Sequence, residues 1–282
     1  MRIESGQVAV ITGAAQGIGA ALASELLARD VRVVRLDLSQ EALDQAAPDL
    51  PGGSIAVVGD VSDPRVLSDL AGRTLDHFGR VDLVVNNAGV RDNGDPVWQM
   101  PAHEWQRVLG VNLLGVVNGI RAFVPHLIEA GGGHVVNVAS LAGLAGAPMQ
   151  GAYAASKHAV VSVSEILAAE LAQTGAAVGV TVACPGLVRT SLVADLLAAP
   201  DAEPGSAVYE SLAKSLPKDR PVEEFLRDMR ELVSTAIDAS TAAQRILSAV
   251  EKDLLYALPN GDLEDTARER AERVLSALDN PW

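Results

Sequence analysis

The sequence predicts one α/β domain built on a doubly wound, parallel, seven-stranded sheet with helices on both faces. Three observations predict it. Seven short apolar segments rich in β-branched residues read as strands buried on both faces: Val8–Ile11, Val31–Leu36, Ser54–Val58, Leu83–Asn86, Val135–Ala139, Val178–Ala183 and Leu254–Leu258. Helix-periodic stretches separate them, which calls for right-handed crossovers between parallel neighbours. At 282 residues the chain has room for one large or two small domains, and the unbroken alternation favours one, residues 1–282.

The first strand runs into Thr12-Gly13-Ala14-Ala15-Gln16-Gly17-Ile18-Gly19 and then an apolar-periodic helix, Ala20–Ala28. Strand, glycine-rich turn and helix N-terminus form a device for an anionic diphosphate, because outward N–H groups and the helix dipole both favour negative charge. The spacing is Gly-x-x-x-Gly-x-Gly rather than the Gly-x-Gly-x-x-Gly of the usual dinucleotide fingerprint, but the glycine roles are similar: a tight turn, close approach to ligand, close helix–strand packing. Taken singly, each glycine also reads as an ordinary turn.

The second strand ends at Asp37, about 20 residues beyond the turn, where a carboxylate suits ribose hydroxyls; with Ser39 nearby it also reads as a helix cap. Asp60-Val61 follows the third strand and Asp63-Pro64 starts the next helix. Asn86-Asn87-Ala88-Gly89 follows the fourth strand, and Asn112 falls in a later helix, where a polar residue can also satisfy a helix defect. Ser140 follows the fifth strand, and Cys184-Pro185-Gly186-Leu187-Val188-Arg189-Thr190 ends the sixth and continues past it. In doubly wound sheets ligands bind outside the carboxyl ends of the strands, where each of these motifs falls or begins a helix.

Tyr153 and Lys157 are four residues apart, on one helix face, with Ser140 thirteen positions before Tyr153. A lysine beside a phenol favours phenolate and draws its pKa down towards working pH, so the pair suits general acid–base chemistry on an alcohol or carbonyl oxygen. Alone, Tyr-x-x-x-Lys is also an ordinary solvated helix face.

Composition narrows the partners. Net charge is −14, which repels phosphate backbones and anionic membranes, so neither nucleic acid nor membrane is expected as a partner. Cys184 is the only cysteine and reads as a core thiol; the five histidines lack metal-ligand spacing, so no metal is expected. Without an apolar leader, a cytoplasmic protein is expected. Residues 187–238 break the alternation: Pro200, Pro204, Pro217 and Pro221 punctuate short helical pieces with apolar faces, including Leu192, Val193, Leu212 and Leu226. A helical tail at about residues 261–282 carries a stripe of Leu263, Ala267, Val274, Leu275 and Leu278, suited to intramolecular packing or to a subunit contact.

Together these residues resemble the short-chain dehydrogenase/reductase family, from about Gln7 to Thr190 and more loosely to Pro259. The resemblance implies a Rossmann-type fold and an enzyme with Asn112, Ser140, Tyr153 and Lys157 as catalytic residues. It implies a nicotinamide cofactor held by Gly13, Gln16, Gly17, Ile18, Gly19, Asp37, Asp60, Val61, Asn87, Gly89, Tyr153, Lys157, Pro185, Gly186, Val188 and Thr190. Asn112 would order a water beside Lys157, and residues 187–238 would cover the substrate. NAD is favoured over NADP: a 2′-phosphate about 4 Å from the Asp37 carboxylate would meet roughly 4 kcal/mol of repulsion per charge pair, and Arg35 would offset this only in part. The expected activity is hydride transfer between that cofactor and a hydrophobic secondary alcohol or ketone. The alternatives are an epimerase or dehydratase that retains its NAD, and a non-catalytic dinucleotide sensor. A homodimer or homotetramer is expected, with Ala152, Ala155 and Ala159 offering a small-residue helix face.

Overall fold

The computed structural model describes residues 1–46, 54–201, 203–206, 209, 221–261 and 264–278. Seven strands form one parallel sheet in the order β3-β2-β1-β4-β5-β6-β9. They are β1 (Val8–Thr12), β2 (Arg32–Asp37), β3 (Ser54–Val58), β4 (Leu83–Asn86), β5 (Gly133–Val138), β6 (Val178–Ala183) and β9 (Tyr256–Ala257). The chain moves outward from β1 through β2 to β3 and then crosses to β4 on the other side, which opens a crevice at the carboxyl ends of β1 and β4.

The period of two sorts each strand between two cores. Val8 and Val10 of β1, with Val34, Leu36, Val84 and Val135, face α3 (Pro64–Phe78) and α5 (Gly115–Glu129) through Leu67, Leu70, Phe123 and Leu127. The alternate residues Ala9, Ile11, Val33, Val85 and Val136 face α1 (Gly17–Leu27) and the helix Ala239–Glu251 through Leu22, Leu26, Ile246 and Leu247. Burial on both faces explains why these strands read as continuous apolar runs. Each fully buried large aliphatic contributes about 1.5–3 kcal/mol.

Helix ends follow local chemistry. Asp63 caps α3 by accepting from Arg65 N at 2.9 Å, Pro64 takes the first turn, and Gly79 closes it at φ +73°. Ser39, not Asp37, caps α2 (Gln40–Ala46), its Oγ accepting from Ala42 N at 3.2 Å.

Several expectations are corrected. The first helix starts at Gly17, inside the glycine turn. The seventh strand spans only Tyr256–Ala257, paired with Val182 and Ala183. A second, two-stranded sheet pairs β7 (Val188–Arg189) with β8 (Ile237–Asp238), joining the two ends of the segment 187–238; strands of two residues leave no periodic signal. That segment contains the helix Val222–Ser234, while Leu212 and Pro217 lie outside the described residues, as does Leu263 of the tail. The tail helix Glu264–Ser276 and the residues after it leave Val274, Leu275 and Leu278 exposed at 58, 59 and 75%. Ala152 is fully buried against Met100 and Val108, so it offers no outer face.

Among the described residues one helical run, Ala102–Glu129, has the length and apolarity of a membrane span. It contains α4 (Ala102–Leu109), a π-helical turn at Gly110–Leu114 and α5, and α5 buries Val116, Phe123 and Leu127 against the sheet.

Candidate active site

Close approach dictates the glycines of the first turn. Gly13 and Gly17 have φ of +64° and +57°. A Cβ on Gly13 would stand 2.8 Å from the Cα of Ala88, and one on Gly19 would stand 2.1 Å from the Gly13 carbonyl oxygen. Gly19 is buried and stands behind the wall of the cleft, so it serves packing of helix on turn. Gln16 occupies the cap position of α1 without bonding to the helix, and its Oε1 instead accepts from Ser191 Oγ at 2.7 Å. The first N–H groups of α1 are thereby left for an anion.

The turn is laced to its neighbours by polar side chains. Thr12 Oγ1 accepts from Asn87 N at 3.0 Å and Ala88 N at 3.1 Å. Asn87 Nδ2 donates to the carbonyls of Thr12 and Gly13 at 2.9 and 3.0 Å. Asp37 Oδ2 accepts from Ala15 N at 2.9 Å and Oδ1 from Leu38 N at 2.8 Å, which pins the carboxylate against the turn; each oxygen retains a further acceptor position. Asp60 Oδ1 accepts from Ser62 N, and Asn118 Nδ2 holds the Val61 carbonyl. Arg35 does not reach this cleft. Its guanidinium is buried, donating to Ser54 Oγ and the Leu43 carbonyl, and burial lowers its pKa. The expected offset of Asp37's charge by Arg35 is therefore absent.

On the other wall, α6 (Gly151–Thr174) carries Tyr153 and Lys157. Asp92, from the loop after β4, accepts from Tyr153 N at 2.9 Å and so caps the start of α6. Lys157 is only 3% exposed; its Nζ donates to the Val138 carbonyl at 2.8 Å and lies 5.8 Å from the Tyr153 ring centre. Ser140, two residues past the end of β5, stands beside the Tyr153 side chain, and its Oγ accepts from Ala142 N at 3.1 Å.

The electrostatics correct the expectation of a phenol acidified by its lysine. Burial, the largest effect, pushes the Tyr153 phenol above its ordinary pKa, while the Ser140 hydroxyl and the Arg91 charge pull it down. Burial also drives Lys157 down to about 8. Two groups that both lose hydration favour their neutral forms, and the ammonium is turned to a carbonyl rather than to the phenol. Cys184 is buried, its thiol pushed up to about 12, as a core cysteine.

Asn112 sits in the π-helical turn, 0% exposed. Its Oδ1 accepts from Val90 N and its Nδ2 donates to the Val90 carbonyl and to Ser156 Oγ, which in turn donates to the Tyr153 carbonyl at 2.6 Å. This side chain fixes the wall of the cleft. Gly89 stands between it and Lys157: a Cβ there would be 3.4 Å from Lys157 Nζ and 3.5 Å from Asn112 Oδ1.

One cavity of about 450 Å³ unites Gly13, Gln16, Gly17, Ile18, Asp37, Asp60, Val61, Asn87 and Gly89 with Ser140, Tyr153, Lys157, Pro185, Gly186, Val188 and Thr190. Of the residues expected from sequence, Gly19 and Asn112 alone stand behind its lining. A Cβ on Gly17 would meet the Thr190 methyl at 3.0 Å, so the two walls approach closely here. Unfilled helix N–H groups, a carboxylate about one strand away and a half-buried phenol–serine pair fit a dinucleotide with its reactive end beside Tyr153. Thr12, Ser156 and Asp92 had no readable signal, because each acts on backbone brought close only by folding. No group of three or more His, Cys, Asp or Glu able to hold a metal lies among the described residues.

The short chain dehydrogenase family matches residues 7–201. The chain is 41% identical over 197 residues to a 1-deoxy-11-beta-hydroxypentalenate dehydrogenase of Streptomyces exfoliatus, covering 68% of this chain and 71% of that protein. It is 36% identical over 263 residues to the human 15-hydroxyprostaglandin dehydrogenase [NAD(+)], covering 89% and 88%. A short chain dehydrogenase/reductase from Burkholderia phymatum, solved in complex with NAD, superposes with a TM-score of 0.82 at 34% identity over 98% of this chain and 97% of that one. The chain belongs to the short chain dehydrogenase family, and is an oxidoreductase of that family with a Rossmann-type fold.

Proposed function

We propose that the protein transfers hydride between NAD and a hydrophobic secondary alcohol or ketone, with Tyr153 as general acid and base. The observation that carries this reading is one cavity lined both by the phenol of Tyr153, with Ser140 beside it, and by the glycine turn and Asp37. A nicotinamide dinucleotide, when bound, supplies the acceptor or donor of hydride. The chain's residues do the rest. Ser140 and Tyr153 hold the substrate oxygen; Tyr153 takes its proton in oxidation and returns it in reduction. Lys157 sets a buried amine 5.8 Å from the ring centre of a phenol that burial otherwise keeps protonated. Asn112 and Ser156 fix Val90 and the start of α6, so that the phenol and the cleft wall keep one spacing.

Asp37 supports NAD, since its carboxylate is pinned at the cleft and Gln16 brings no cation to the turn. The NAD complex of the Burkholderia protein and the human NAD(+)-named dehydrogenase agree with this reading. Leu192 and Val193, at the start of the segment 187–238, add apolar walls, which supports an apolar substrate under that segment. A homodimer or homotetramer is part of the same proposal, to be read by light scattering.

A panel of secondary alcohols offered with NAD⁺ or NADP⁺ tests the reading. NADH formed faster than NADPH on at least one hydrophobic alcohol is expected, and Asp37→Ala is expected to narrow that preference by about tenfold. Failure of the whole panel with bound NAD⁺ would redirect the reading to an epimerase, a dehydratase or a sensor. An unchanged preference in Asp37→Ala would move discrimination elsewhere.

A further inference from the structure

The excursion that leaves β6 at Pro185 and returns at Ile237 is closed at its base by one side chain. Asn260, 4% exposed, follows β9. Its Oδ1 accepts from Gly186 N at 2.9 Å, while its Nδ2 donates to the Leu187 carbonyl at 2.9 Å and, more weakly, to the Thr235 carbonyl at 3.4 Å. The partners fix the orientation of the amide, since an N–H must meet its oxygen and two carbonyls must meet its NH₂. Around this point Ile237 N donates to the Leu187 carbonyl at 3.1 Å, β7 pairs with β8, and the Arg245 guanidinium holds the Pro259 carbonyl. The strip so held carries Val188 and Thr190 into the cavity, with Thr190 against Gly17 of the glycine turn.

We propose that Asn260 is the positioning residue of the cofactor-facing strip Pro185–Thr190, suspending it, together with the return of the excursion at Thr235, from the end of the central sheet. The inference rests on the cofactor reading above. Asparagine is required because the site needs one acceptor and two donors at one point. Aspartate, almost the same shape, supplies acceptors only and sets a carboxylate against the Leu187 and Thr235 carbonyls. Serine supplies one donor on a shorter arm. Asn260 itself stands outside the lining of the cavity, so its effect on ligand passes through Gly186 and Leu187.

Asn260→Asp tests this, with amide hydrogen exchange over residues 186–190 and 235–238 as a readout independent of cofactor, and NADH affinity by fluorescence as the second. Exchange in both stretches is expected to quicken at least about tenfold while α6 is unchanged, and NADH is expected to bind about tenfold more weakly. Both losses should shrink at acidic pH relative to the parent protein, as the introduced carboxyl protonates and regains a donor. If that variant does not fold, Asn260→Ser, which keeps an acceptor and one donor, should give a smaller change in the same direction. Exchange within twofold of the parent in both stretches would overturn the inference, as would faster exchange with unweakened NADH binding. A parent protein that binds no NADH would instead overturn the cofactor reading beneath it.

Discussion

Asn112 holds Val90 by both of its backbone groups: Oδ1 accepts from Val90 N at 2.8 Å and Nδ2 donates to the Val90 carbonyl at 2.9 Å. The bond from the same amide to Ser156 makes the π-helical turn the tie between the β4 loop and α6. Asn112→Leu would leave those buried partners without mates, at about 1–3 kcal/mol for each. Thermal unfolding should show at least ~2 kcal/mol of lost stability, and kcat/KM should fall about 100-fold as the wall shifts. A variant as stable and active as the parent would remove this role.

The glycine turn is tested by a matched pair. Gly19→Ala sets a methyl 2.1 Å from the Gly13 carbonyl oxygen, a backbone atom that cannot swing aside, whereas Gly72→Ala within α3 meets nothing within 4 Å. Calorimetric titration should find NADH binding to Gly19→Ala weakened at least tenfold, and chemical denaturation should find Gly72→Ala stabilised by about 0.5–1 kcal/mol. Equal behaviour of the two would deny the turn its tight packing.

Lys157 gives a pH signature. Its pKa is about 8 in the folded protein against 10.5 for the free side chain. Between those values the unfolded chain binds the proton and the folded one does not, so stability rises with pH across that window. Below about pH 8 the buried charge costs up to about 3 kcal/mol. Urea unfolding of the parent should show this gain between about pH 8 and 10, and Lys157→Met should lack it while losing turnover. Parallel pH profiles for the two proteins would contradict the buried ammonium.

How much was legible in the sequence follows from what each feature depends on. Strands such as β1 and β4 were readable because residues like Val8, Ile11 and Val85 are buried on both faces, which leaves an apolar run in one dimension. The glycine turn and Asp37 were readable because backbone approach and strand end are local. The weld of β7 to β8, the clasp of Asn260 and the lacing by Thr12 were not, since each joins segments distant in sequence and uses backbone groups that have no residue code. Spacing places Tyr153 and Lys157 together on one helix face but carries no information on their proton affinities. Helical spacing gives proximity but not burial, and burial dominates here.

The most direct measurement is proton transfer at Tyr153. In Tyr153→Phe, NADH formation from an alcohol that the parent oxidises should fall by at least about a thousandfold, while NADH affinity measured by fluorescence stays within about threefold. Turnover retained in that variant would contradict the account.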